Sequence, residues 1–252
     1  MVDICVKGEV IRDVDLVIFD KDGTLLELYH YWSQMVAMRA RIIGERLNLN
    51  DALIDELMYE MGVDKKAERL RPTGPVGLKK REIVLQAAVD YLKKNGFSNA
   101  YDICQDSFMK VDNLSLTMLG TLLKPINGAL SLVEMLHQSR CKVAIATTDR
   151  GNRAKLAMDF LGFGDKIDLI VGADQVEKPK PDPEIAHIIL DNLKISPSNA
   201  VIVGDAESDV LVGVNARLKA SIGVLTGFAS FEDLKRITPY VAQDVSEIKT
   251  IC

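Results

Sequence analysis

The stretch Asp20-Lys21-Asp22-Gly23-Thr24 sets two carboxylates one residue apart, directly after an apolar, β-rich run from Val14 to Phe19. Acids at the C-terminal end of a buried strand lie where an open α/β sheet binds its ligands. Two carboxylates this close cannot do the same work. One can face a substrate and a metal ion, while the other turns its side chain elsewhere and leaves its backbone carbonyl to the same cation. Gly23 allows the sharp turn that follows. Taken alone, the pentapeptide also reads as a solvated turn with helix-capping acids.

Three further groups repeat the pattern. Thr147, with Thr148 beside it, follows the apolar run Lys142–Ala146, where a hydroxyl and nearby backbone N–H groups at a helix N-terminus can cradle phosphate. Helix capping is the plainer reading of a lone threonine there. In Lys178-Pro179-Lys180-Pro181-Asp182-Pro183, the prolines restrict the backbone and can aim a lysine in one direction. A lysine so aimed can neutralise a transferring phosphoryl group. Gly204-Asp205-Ala206-Glu207-Ser208-Asp209 follows the apolar run Ala200–Val203, and its acids suit a hard cation such as Mg²⁺. Each group alone is ordinary; four in order, each at a strand end, are not.

The elements that must position them alternate. After Val14–Phe19 come β-rich runs at Lys142–Ala146, Ile167–Val171, Ala200–Val203 and Ala220–Leu225, with helical patterns at 127–139, 151–161, 183–193 and 207–216. Such alternation predicts βαβ units and a doubly wound, mainly parallel, Rossmann-like α/β sheet. Asp182-Pro183 reads as an N-cap followed by the first helical residue. Ile4 to Ile11, around Lys7-Gly8, reads as a small hairpin beside the sheet.

Between Thr24 and Pro125 the strand rhythm stops. Val36, Ala40, Ile43 and Leu47 mark one helical face, and further helices are expected near 51–61, 79–94 and 99–120, interrupted by the glycine/proline loop 71–77. We therefore expect a catalytic core of residues 1–26 and 126–252 with an inserted α-helical cap, 27–125, over the strand ends. Hydrophobic content of 48% supports a full core, and a net charge of −5 argues against a nucleic-acid partner. Cys5, Cys104, Cys141 and Cys252 are scattered without a C-x-x-C pair, arguing against zinc and a disulfide framework. With no leader-like start and no membrane-length apolar run, a cytoplasmic location is expected.

Together the four motifs resemble the haloacid dehalogenase superfamily, in its phosphatase branch with an α-helical cap. Leu225-Thr226-Gly227-Phe228 and Phe231-Glu232-Asp233-Leu234 also look like phosphoglycolate phosphatase-type members. The resemblance implies a Mg²⁺-dependent phosphomonoester hydrolase acting on a small phosphorylated metabolite, as a monomer or homodimer. By position, Asp20 is then the nucleophile that becomes an aspartyl-phosphate and Asp22 the general acid and base. Mg²⁺ falls to Asp20, the Asp22 carbonyl and Asp205, with Asp209 in an outer role. Thr147 and Lys178 take the phosphoryl group, beside Gly23, Thr24 and Thr148. Thr148-Asp149 departs from the Asn-Lys pair often seen there, which bears on substrate rather than reaction.

Rival readings are a phosphomutase of the β-phosphoglucomutase type, a phosphonoacetaldehyde hydrolase and a non-catalytic binding relative. Met61-Gly62-Val63-Asp64-Lys65 resembles the Schiff-base segment of phosphonoacetaldehyde hydrolases, but those lack an acid at the position of Asp22. A binding relative gains nothing from keeping both acids, and a dehalogenase needs neither Asp22 nor a metal. For the organic part of a substrate, Arg71 and Lys79, with Arg69, are the cap candidates, and the aromatic run Tyr29 to Trp32 adjoins the cap entrance. His30, His137 and His187 lie too far apart to suggest a ligand set.

Overall fold

A computed structural model describes residues 1–251; the sequence reading of Cys252 lies outside the described residues. Val2–Val6 (β1) and Glu9–Val14 (β2) form the expected hairpin, with positive φ at both Lys7 and Gly8. Consecutive left-handed residues match the twist of paired strands across a two-residue turn. A third strand, Ile248–Ile251, joins β1 from the far end of the chain.

The next strand, Leu16–Phe19 (β3), is buried at every position, as a central parallel strand covered on both faces must be. The chain then forms Leu28–Leu47 (α1), Asp51–Met61 (α2), the short ribbon Val63–Asp64 (β4) with Arg69–Leu70 (β5), Arg81–Lys94 (α3), Ala100–Thr117 (α4) and Leu119–Leu122 (α5). Asn50 caps α2 through its side chain, and Gly62, at φ 113°, ends it. Only glycine takes that conformation readily.

From there the alternation resumes: Ala129–Gln138 (α6), Lys142–Ala146 (β6), Gly151–Phe160 (α7), Leu169–Val171 (β7), Glu184–Leu193 (α8), Ala200–Gly204 (β8), Glu207–Asn215 (α9), Ala220–Val224 (β9), Phe231–Ile237 (α10), Tyr240–Ala242 (β10) and the hairpin's partner Ile248–Ile251 (β11). The main sheet has the order β10-β9-β8-β3-β6-β7, and every pairing in it is parallel. Leu16, Ile18, Ala144, Ile185, Ile189 and Ile202 share one core cluster between sheet and helices. The chain departs from β3 towards both edges, so β3, flanked by β6 and β8, is the switch point at which such sheets open a crevice.

The chain divides into two compact units. One is Met1–Leu28 with Pro125 onward; the other is the helical unit Tyr29–Lys124. Within the helical unit Val36, Ala40 and Ile43 are fully buried. No helix among the described residues is long and apolar enough to cross a membrane. Asp182 is displaced by one position from the predicted N-cap: α8 begins after Pro183, and Asp182 Oδ1 accepts from Glu184 N at 3.0 Å.

Candidate active site

Three strand ends around the switch point deliver three buried acids and a lysine. Asp20 follows β3, and its N–H donates to Val203 O at 2.9 Å, tying it to neighbouring β8. Asp205 follows β8, and Asp209 lies in the first turn of α9. Asp20, Asp205 and Asp209 each offer a carboxylate oxygen within 4.8 Å of the others. The ammonium of Lys180 lies 2.8 Å from Asp20 Oδ1 and 2.7 Å from Asp209 Oδ1, and donates to Ala146 O.

The sequence reading expects Lys178 at this place, but the lysine beside Asp20 is Lys180. Glu184 accepts from the backbone N–H groups of Glu177 and Lys178, at 3.0 and 2.8 Å, fixing the start of the loop. The Lys178 side chain is left 71% exposed, with Asp182 at 3.9 Å, whereas that of Lys180 is 3% exposed. Lys180 stands between two prolines and Lys178 beside only one, a difference in the sequence that favours Lys180 as the lysine with the stiffer backbone.

Burial pushes the Asp20 carboxyl up to about 7, against the pull of Lys180 and with added repulsion from Asp209 and Asp22. Asp205 is raised well above the usual carboxylate range, first by burial and then by Asp209 and Asp20. Lys180 is held charged by Asp20 and Asp209 although burial alone would lower it. One ammonium does not offset three buried carboxylates. The remaining negative charge and the all-oxygen donor set fit a hard divalent cation such as Mg²⁺.

The Asp22 carboxylate is not part of this cluster. It accepts from Lys21 Nζ at both oxygens, 2.7 and 2.8 Å, so its share in holding an ion would fall to its main-chain carbonyl. Two further candidates support the acids instead of being left for a substrate. Gly23, at φ 96°, donates to Leu26 O and accepts from the Thr226 hydroxyl, and a Cβ on it would strike the Asp205 carboxylate. Thr24 is fully buried, and its hydroxyl donates to Asp205 Oδ1 at 3.2 Å.

Thr147 is buried at the end of β6, its Oγ1 accepting from Asp149 N at 3.1 Å; Thr148 is exposed. Two N–H groups at the start of the helix that follows it are bonded within the protein. Gly151 N donates to Asp174 Oδ1 and Arg150 N to Asp149 Oδ1, both at 2.8 Å.

In the helical unit, Arg71 Nη1 donates to Tyr59 O at 2.8 Å, with the guanidinium 4.0 Å from the centre of the Tyr59 ring; Lys79 is exposed. Lys65 is a solvated lysine paired with Asp55 at 3.1 Å. His30 Nε2 lies 2.8 Å from Thr121 O, and Trp32 packs edge-on against Tyr31. Cys104 and Cys141 are free, and burial pushes both thiols up to about 12.

This geometry has a counterpart in known proteins. A family model for haloacid dehalogenase-like hydrolases matches residues 14–217. The chain belongs to that family. A phosphoglycolate phosphatase from Psychrobacter arcticus is 24% identical over 92% of each chain. A pyrophosphatase from Halalkalibacterium halodurans is 33% identical over 40% of this chain, a match spanning about half of that relative's length. Among solved structures, a predicted phosphoglycolate phosphatase from Haemophilus somnus superposes with a TM-score of 0.71 at 15% identity, covering 94% of this chain and 97% of its own. A β-phosphoglucomutase from Clostridium difficile gives 0.64 at 19% identity, with 93% and 92% covered. At these identities the structural likeness concerns the fold.

Proposed function

We propose that this hydrolase is a Mg²⁺-dependent phosphatase that cleaves a small phosphorylated metabolite through an aspartyl-phosphate. The observation that carries the reading is the separation of Asp20 from Asp22. One carboxylate lies among acids and beside Lys180, while the other, two residues on, accepts from Lys21 at both oxygens. Acids placed in different settings can take the roles of nucleophile and proton carrier.

In the first step an Asp20 oxygen forms a bond to phosphorus as the bond to the leaving oxygen breaks. The electron pair stays on that oxygen, which takes its proton from Asp22. In the second step Asp22 accepts a proton from water, the water oxygen bonds to phosphorus and the Asp20–phosphorus bond breaks. Phosphate leaves, and both acids return to their starting state. Lys180 orients Asp20 and offsets charge on the phosphoryl group, and Thr147 supplies a hydroxyl to a phosphoryl oxygen. Mg²⁺, held by the carboxylates of Asp20 and Asp205 and the carbonyl of Asp22, with Asp209 orienting them, would let a carboxylate approach a phosphate dianion.

The relatives named for phosphoglycolate and pyrophosphate point to compact, highly anionic substrates. A metabolite panel assayed for phosphate release with Mg²⁺ tests the reading, with Asp20→Asn expected to abolish release while the protein stays folded. Unchanged turnover in Asp20→Asn overturns the mechanism. Isomerised sugar phosphate with little free phosphate would mark a mutase instead.

A further inference from the structure

Lys21 stands between the two acids in sequence, yet its side chain is only 2% exposed, which is rare for a lysine without a task or a firm partner. Its ammonium touches both oxygens of Asp22 and lies 3.5 Å from Asp149 Oδ2; Asp149 in turn pairs with Arg153 at 3.7 Å. The result is a row of alternating charges, Asp22, Lys21, Asp149 and Arg153, running from the end of β3 to the first turn of α7. It is separate from the Asp20, Asp205, Asp209 and Lys180 group.

We propose that Lys21, braced by Asp149, is a positioning residue that holds the Asp22 carboxylate aimed for proton transfer. The inference rests on the acid–base role given to Asp22 above. A carboxylate gripped at both oxygens by one buried donor cannot rotate freely about its Cβ–Cγ bond. That grip suits a group that must work twice. As a carboxylate, Asp22 accepts from Lys21 at both oxygens; with a proton on one oxygen, the other still accepts. Lys21 can therefore keep the group in register while the proton leaves for the leaving oxygen and returns from water. Misplacement of a proton carrier by even a fraction of an ångström is costly, because transfer needs hydrogen-bond distance.

A merely structural lysine and a positioning lysine differ in how their loss depends on the leaving group. The test compares wild type, Asp22→Asn, Lys21→Met, Asp149→Asn and the Lys21→Met/Asp22→Asn double variant on an alkyl phosphate and on p-nitrophenyl phosphate. An alkoxide needs a proton to leave; p-nitrophenolate hardly does. Lys21→Met is expected to lower kcat on the alkyl phosphate by on the order of 10²-fold, with a severalfold smaller loss on p-nitrophenyl phosphate and little change in KM. Asp149→Asn should show the same bias with a smaller loss. The double variant should be no slower than Asp22→Asn alone, because a holder without its acid has nothing left to hold.

Equal losses on both substrates in Lys21→Met, or additive losses in the double variant, overturn the proposal. If Lys21→Met does not fold, Asp149→Asn decides alone: leaving-group bias supports the positioning row, and equal or absent losses reject it. If Asp22→Asn shows no bias, the acid–base reading falls and this inference with it. If Asp22→Asn shows bias and Lys21→Met none, only the inference falls.

Discussion

Lys180 and Asp20 form a buried ion pair at 2.8 Å, joining the loop after β7 to the end of the central strand β3. The same ammonium reaches Asp209, so one lysine fixes two acids that would otherwise repel. Breaking such a pair leaves charge buried and unpaired, which costs more than the pair itself contributes.

Lys180→Met should therefore lower kcat/KM for phosphate release by on the order of 10²–10³-fold, the scale seen when one transition-state donor is removed. Lys178→Met should behave nearly as wild type, because an exposed pair at 3.9 Å contributes little. Steady-state kinetics on the two variants check this directly. The reverse ranking would mean that the loop rearranges when substrate binds.

The buried acids also set a pH dependence of stability. Asp20 is raised from 3.8 to about 7, so the folded protein binds a proton that the unfolded chain has already released over that interval. Stability then falls as pH rises from about 4 to about 7, and Asp205, raised in the same direction, adds to the fall. A divalent cation at the acids binds the ionised form and offsets the loss. Thermal melts in EDTA should show a lower Tm at pH 8 than at pH 5.5 from this source, and Mg²⁺ should raise Tm more at pH 8. Equal Mg²⁺ shifts at both pH values would argue against these acids as the binding group.

Much of this was legible before any coordinates. Uniformly apolar strands such as Leu16–Phe19 announce a parallel sheet, and the acids at their ends announce a charged crevice. Short or end-of-chain elements were not legible: β10, β11 and the β4–β5 ribbon carry only two to four residues each, too few for a period to show. Side-chain direction was also hidden. Lys178 and Lys180 both adjoin Pro179, and the anchoring of the loop by Glu184 holds the backbone at Lys178 while its side chain stays outside. Gly23 and Thr24 were visible as motif members, but their service to Asp205 depends on a contact 181 residues away in sequence. Lys21 was visible only as the residue between two acids.

The helical unit has its own buried charge. Arg39 is 3% exposed, donates to Asp112 Oδ1 at 2.9 Å and lies 4.3 Å from the centre of the Phe108 ring; Arg81 takes the other Asp112 oxygen at 2.7 Å. Arg39 Nε has no hydrogen-bond partner among the described residues, so Asp112 is the main compensation for the Arg39 charge. Asp112→Asn should destabilise the protein towards the lower end of about 3–5 kcal/mol, since Asp112 itself is partly solvated. Denaturant melts measure it. Phosphatase kinetics below the melting range should change far less than stability, and a stability change under about 0.5 kcal/mol would show that Arg39 finds other partners.

Asp205 is enclosed by the loop that follows β9. Phe228 N donates to its Oδ2 at 3.2 Å, and Ala229 N to its backbone oxygen at 3.1 Å. Between these contacts and Thr226, Gly227 passes so close that a Cβ would overlap the Asp205 carboxylate and its Cβ. The overlap cannot be relieved at a flexible tip, because an aspartate has too short a side chain to bend aside. Gly227→Ala should therefore displace the carboxylate or push the loop away from it, while leaving the strands intact because Gly227 itself is exposed. Groups that orient a metal ligand typically cost about 10–100-fold in affinity when altered. Titration of Mg²⁺ into the variant, followed calorimetrically, should show a loss on that scale with an unchanged far-UV spectrum. Wild-type Mg²⁺ affinity in Gly227→Ala would mean that Asp205 does not hold the ion.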